Sequence, residues 1–241
     1  RRVRPAGCRT RSRDGRRLHK FEGVGPFGDV AYERAARLAA DGWGVAPLGP
    51  PDACGFVAQP WIGGRPPAMD DHTIDALGRY TAHRARAFPA AVDPELLERA
   101  TATNLATLGL EGERALPIVR PTLCDGAMAP HEWRRGGPHG LTKLDAVAHG
   151  DDHLLPGPTD IAWDLAGAIV EWRLDPRATL TLVDAYARES GDDPRARLGA
   201  YVCAYAASRA VATGMAAHGC APTERPRLRA AFHGYRAIAA R

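Results

Sequence analysis

The chain has 241 residues, of which 45% are hydrophobic and 25% charged, with a net charge of +4. This is ordinary globular composition, enough for one large domain or two small lobes. No apolar run reaches membrane-spanning length and no signal-peptide pattern occurs, so a cytoplasmic protein with no membrane partner is expected.

The elements follow in chain order. Residues 1–23 read as short strands about a turn at Ser12-Arg13-Asp14-Gly15, and Arg17-Leu18-His19-Lys20-Phe21 alternates like a half-exposed strand. Gly28 to Ala40 has helical spacing, with Asp29 near its start and Gly42 after its end. Two strands are expected at Val45–Gly49 and Gly55–Gln59, separated by a Pro-Pro-Asp turn. Trp61 to Pro67, rich in Gly and Pro, is the expected lobe boundary, placing one domain at 1–62 and a second at 63–241. Beyond it the chain is mainly helical: Asp70–Phe88, Pro94–Leu108, Asp160–Arg173, Arg177–Glu189, Arg195–Ala217 and Arg225–Ala240.

Five dispersed cysteines without a C-x-x-C pair read as reduced thiols. The first twenty residues are strongly basic but lack interleaved aromatics, so they read as a solvated strand pair and nucleic acid is not an expected partner. The chain begins with Arg, which reads as the tail or a fragment of a longer polypeptide. Lys and Arg total 32, yet lysine occurs only at Lys20 and Lys143. Around phosphates a compact ammonium and a forked guanidinium are not interchangeable, so both lysines are candidates for function, with chance survival the plain alternative, above all for Lys143.

Acidic residues supply the chemistry. Cys124-Asp125-Gly126 opens one cluster, which runs on to His131-Glu132-Trp133, and Leu144-Asp145 closes a second about twenty residues later. A third, Thr159-Asp160-Ile161-Ala162-Trp163-Asp164-Leu165-Ala166, leads into an apolar helix. Acids on a loop, at a strand end and at a helix start, in that order, suit phosphoryl transfer. One carboxylate orients the attacking hydroxyl and another holds the Mg²⁺ that neutralises the phosphates. Simple capping is the plain alternative for Asp160 and Asp164.

In this order the residues resemble the aminoglycoside/choline phosphotransferase branch of the protein-kinase-like fold. The likeness begins at about Lys20, and its most specific element is the Asp-x-x-x-Asp-Leu-Ala segment at Asp160–Ala166. It implies an α+β, two-lobe fold with a small β-rich N-lobe, truncated at its start, and a larger α-helical C-lobe. It further implies that Lys20, steadied by Glu33, holds the ATP phosphates, and that Gln59 and Trp61 lie on the adenine hinge. By the same resemblance Asp125 is the catalytic carboxylate, Asp145 binds Mg²⁺, and the Asp-Leu-Ala segment buttresses the catalytic loop. The kinase loop carries a metal-binding Asn five residues after its Asp. Here Pro130 stands there, leaving His131 or Glu132 to supply that ligand. No glycine-rich loop precedes Lys20.

The expected function is thus ATP-dependent phosphotransfer to a hydroxyl of a small molecule, with ATP and Mg²⁺ as cofactors. A non-catalytic kinase-like binding module is the second reading. The third is a metal-dependent hydrolase built on His149-Gly150-Asp151-Asp152-His153. That cluster resembles the family's own H-G-D-x-H motif, but Asp151 lies only thirteen residues before Asp164, too close for a catalytic loop, a strand pair and a metal Asp between them. Gly23-Val24-Gly25-Pro26-Phe27-Gly28 matches the dinucleotide G-x-G-x-x-G pattern. The preceding segment is too charged for a buried central strand, so it reads as a turn into a helix.

Overall fold

The computed structural model describes residues 9–111, 115–145 and 157–241. They form two compact units: residues 9–76 with 129–145, and residues 77–128 with 157–241. No described helix is long and apolar enough to cross a membrane.

The first unit carries an antiparallel sheet of β1 (Arg9–Arg11), β2 (Arg17–Phe21) and β3 (Phe56–Pro60), in chain order. Gly15, at φ 71°, closes the β1–β2 turn. On β2 the buried position is Lys20, opposite Val57, while Leu18 is only partly covered. A strand that buries its lysine rather than its leucine needs anions to receive the ammonium.

Helix α1 (Pro26–Ala40) follows, burying Gly28, Ala31, Ala35 and Leu38 on one face. Its N-cap is Gly25, at φ 61°, a backbone conformation that suits glycine. The Gly-rich stretch is indeed a turn into the helix. A Cβ on Gly28 would overlap the carbonyl oxygen of Gly23. The expected strand at Val45–Gly49 does not form. Gly44 makes a single bridge to Lys143, and the Leu48 N–H donates to Ala58. Prolines at 47 and 50 remove the donors that a ladder there would need. A hairpin of β5 (Trp133–Arg135) and β6 (Leu141–Lys143) completes the unit, with Trp133 paired to Lys143.

The second unit is helical. It contains most of α2 (Asp71–Ala87), then α3 (Pro94–Thr107), α4 (Ala162–Trp172), α5 (Pro176–Ser190), α6 (Arg195–Gly219) and α7 (Arg225–Ala239). The side chains of Asp93 and Asp175 cap α3 and α5, each followed by Pro in the first turn. Leu105, Leu108, Cys203, Ala206, Ala207, Ala210 and Ala239 bring α3, α6 and α7 together in one core. The expected helix from Asp160 begins later, because Thr159–Asp160 is strand β7, paired antiparallel with β4 (Pro121–Thr122). All residues of α4 are buried except Ile169 and Glu171, and Asp164 lies among them.

Gly28→Ala should cost about 1–3 kcal/mol of stability through this overlap. Urea unfolding measures it, and an unchanged midpoint would contradict the packing.

Candidate active site

In the first unit, Lys20 is 4% exposed, and its ammonium meets two carboxylates. It pairs with Asp145 and lies 2.9 Å from Glu22. The Asp145 side chain is itself 4% exposed. Gln59 on β3 donates its amide proton to the carbonyl of Leu144 at 3.0 Å, which fixes the backbone just before Asp145. Glu132 adds its carbonyl, which accepts the Leu144 N–H at 2.8 Å. Burial pushes the Glu132 carboxyl up, but the His131 hydrogen bond and the Lys143 charge outweigh it, and Asp145 opposes them. The net position is below the ordinary glutamate value, so Glu132 is ionised at neutral pH. Lys143 is fully buried, with its ammonium 5.1 Å from the Trp133 ring centre. Both lysines of the chain therefore lie in the interior of this unit. Each has carboxylates of the Asp145 neighbourhood within electrostatic reach.

The second unit holds a different charge cluster. Asp125 is 0% exposed. One of its oxygens accepts the Tyr80 hydroxyl and lies 3.9 Å from Arg84, and the other accepts the Ala127 N–H at 3.2 Å. Arg84, also buried, donates to the Leu123 carbonyl at 2.7 Å. Asp164 on α4 accepts the backbone N–H groups of Asp125 and Gly126 at 2.8 and 2.9 Å. It therefore does buttress the loop, and it does not cap its own helix. Burial, then the Asp125 charge, pushes the Asp164 carboxyl up to about 6, against Arg84 and the two N–H donors. Burial likewise raises the Tyr80 hydroxyl, which stays protonated and able to donate.

Asp160 is a junction. Its carboxylate accepts the N–H groups of Val119, Arg120 and Ala162 and the guanidinium of Arg197. Asp160 lies on β7, and through the Ala162 N–H it also holds the first residue of α4.

The expected site residues thus separate. Lys20 and Asp145 come together. Glu33 does not join them: it is exposed on α1, and the carboxylates on Lys20 are Glu22 and Asp145. Glu33 falls on the face opposite Ala31, Ala35 and Leu38, which α1 buries. Gln59 serves the Asp145 backbone. Trp61 is 42% exposed under the Arg11 guanidinium, 4.8 Å away. His131 projects into solvent, with its Nε2 3.2 Å from Glu132, so Glu132 is the inward-facing member of that pair. Asp125 is enclosed, which does not suit a carboxylate that must touch a substrate hydroxyl. The His149–His153 cluster lies outside the described residues. Among the described residues no group of three or more His, Cys, Asp or Glu could hold a metal ion. Asp145 and Glu132 do fit Mg²⁺, which takes one or two carboxylates together with substrate phosphates rather than a protein cage.

Sequence reasoning missed Tyr80 and Arg84, whose i, i+4 spacing on α2 signals only a helix face, and it missed Glu22. Lys143 had one signal, the scarcity of lysine.

No protein-family profile matches the sequence, and no curated protein matches it. Solved structures do. Choline kinase LicA from Streptococcus pneumoniae is 15% identical, with a TM-score of 0.58 over 92% of this chain and 86% of that one. The macrolide 2'-phosphotransferase MphH from Brachybacterium faecium is 18% identical, with a TM-score of 0.56 over 94% and 88%. A spectinomycin phosphotransferase, solved with ADP and spectinomycin, is 12% identical, with a TM-score of 0.55 over 92% and 84%. At these identities the likeness establishes the fold. The chain has the kinase-like α+β fold of choline kinases and antibiotic phosphotransferases, as the sequence motifs imply.

Two outcomes test the Asp125 cluster. Tyr80→Phe leaves a buried carboxylate oxygen without its donor and should cost about 1–3 kcal/mol in urea unfolding. Asp164 titrates at about 6 when folded and at roughly 4 when unfolded. The folded state therefore binds the extra proton in that window. Its contribution to stability is full below the window and is lost as the pH rises through about 6. The stability difference between the native protein and Asp164→Asn should fall from pH 4 to pH 7, and a flat difference would contradict the shift.

Proposed function

We propose that the protein binds a magnesium–nucleoside triphosphate, ATP foremost, and transfers its terminal phosphoryl group to a hydroxyl of a small molecule. The observation that carries this reading is the buried pair of Lys20 with Asp145, on a strand and a hairpin end of a kinase-like fold. A lysine buried against two carboxylates has a built-in exchange partner. Bound nucleotide phosphates would take the ammonium, leaving the freed carboxylate for the cation. Bound Mg²⁺ would neutralise the phosphates, with Asp145 and Glu132 as its protein ligands. Lys20 would hold phosphate oxygens, and Gln59 would keep the Asp145 backbone in place. Phosphoryl transfer of this kind depends mainly on positioning and charge stabilisation. Choline kinases and antibiotic phosphotransferases share the fold, which supports an alcohol as acceptor. An ATP donor and the reduced thiol of Cys124 suit the cytoplasm.

The burial of Asp125 favours a second reading, in which the nucleotide is held with little transfer. Both readings share the first step, so binding is measured first. Raising ATP in the presence of Mg²⁺ should raise the melting temperature, by an amount equivalent to about 2.7 kcal/mol at a hundredfold excess over Kd. Asp145→Asn should remove the Mg²⁺-dependent part. No shift with or without Mg²⁺ would sink both readings. ADP formation with choline or spectinomycin as acceptor then separates transfer from binding.

A further inference from the structure

The ends and faces of α4, α5, α6 and α7 in the second unit line a cavity of about 780 Å³, within the roughly 300–1,000 Å³ range of small-molecule sites. Every lining residue belongs to that one unit. The walls are aliphatic: Ile169 and Val170 from α4, Leu180 and Val183 from α5, Leu198 and Val202 from α6. No aromatic side chain and no acid lines the cavity. Its charged lining residues are Arg173, Arg195 and Arg241. Asp184 and Asp193 hold Arg195. The exposed side chain of Arg173 has no hydrogen-bond or ion-pair partner among the described residues. Beyond the arginines only Thr179 and Cys203 bring polar side-chain atoms, and the Cys203 thiol donates to the Ala239 carbonyl at 3.3 Å.

Two backbone features meet at this cavity. Arg173 closes α4 in the left-handed conformation, at φ 54°, and no other described non-glycine residue has a positive φ. Glycine is the usual residue at such a helix end, because a Cβ is strained there. Gly199 on α6 departs in the opposite direction. A Cβ there would meet nothing within 4 Å, so open space lies against bare backbone, although glycine is a poor helix former. Local preference would put glycine at 173 and a larger residue at 199, and departures of this kind gather at functional positions.

We infer that this cavity binds a fatty acid, with the aliphatic chain between the helices and the carboxylate received by Arg173. Aliphatic walls remove the chain from water, and an unspent guanidinium takes a carboxylate through paired N–H donors. The inference stands apart from the nucleotide reading, since no lining residue belongs to the unit of Lys20 and Asp145.

The test is calorimetric titration of the whole chain with dodecanoate below its micelle concentration. Dodecanol, dodecyl phosphate and dodecyltrimethylammonium serve as neutral, phosphate and cationic controls. One dodecanoate should bind per chain, ahead of all three controls. Gly199→Leu, which places a side chain in the open space, should lose measurable binding. Arg173→Gly should raise the melting temperature by relieving the left-handed position, yet weaken dodecanoate by about tenfold, the loss of one charge-assisted hydrogen bond. It should leave dodecanol unchanged. These opposite signs separate recognition from a structural role, and Arg173→Gly keeps the test open if Gly199→Leu does not fold. Absence of dodecanoate binding to the folded native chain overturns the inference. So does equal binding of dodecyltrimethylammonium, or a dodecanoate affinity that Arg173→Gly does not change. Tighter binding of dodecyl phosphate than of dodecanoate overturns the carboxylate as the head group.

Discussion

A charge removed from water must meet its counter-charge, and both units of this protein are organised by that constraint. In the first unit the ammonium of Lys20 is sealed against Asp145 and Glu22. In the second, Asp125 and Asp164 share the buried Arg84, and Tyr80 and three backbone N–H groups also donate to them. Removing one member of such a set exposes its partner to an uncompensated interior, so each set specifies its local backbone closely. Asp160 works in the same way. It gathers the turn at Val119–Arg120, the start of α4 and Arg197 of α6 onto one carboxylate.

The two sets differ in what they can do. Asp125 and Asp164 point their oxygens at donors supplied by the protein itself, and nothing in their arrangement is exchangeable. Lys20 pairs with both Asp145 and Glu22, and on the proposed reading its ammonium would pass to phosphate and leave Asp145 to a cation. Glu132, held ionised beside Lys143, adds a second hard oxygen donor to that neighbourhood. On the proposed reading the Lys20 set is a binding device and the Asp125 set a scaffold.

Much of the fold was legible in the chain. The helical spacings of α1, α2, α3, α5, α6 and α7 are visible because one face of each meets a core, and the Asp-Pro starts of α3 and α5 mark their caps. The strand expected at Val45–Gly49 failed because Pro47 and Pro50 lack the N–H donors that a ladder needs. The site was legible only in part. Lys20 and Asp145 stand in motif order and do meet, whereas Glu33, chosen by the same order, lies on the solvent side of α1.

What the sequence determined by itself was local: periodicity, turns, caps, and the unusual scarcity of lysine that marks Lys20 and Lys143. What only the tertiary structure decided was which acids are used up. Asp125 and Asp145 are the same residue type, and no local pattern tells them apart. Their partners lie 45 and 125 residues away, at Tyr80 and Lys20. Long-range pairing fixes whether a carboxylate is enclosed by fixed donors or left beside an exchangeable ammonium. That difference in environment, rather than residue type, separates a scaffold from a site.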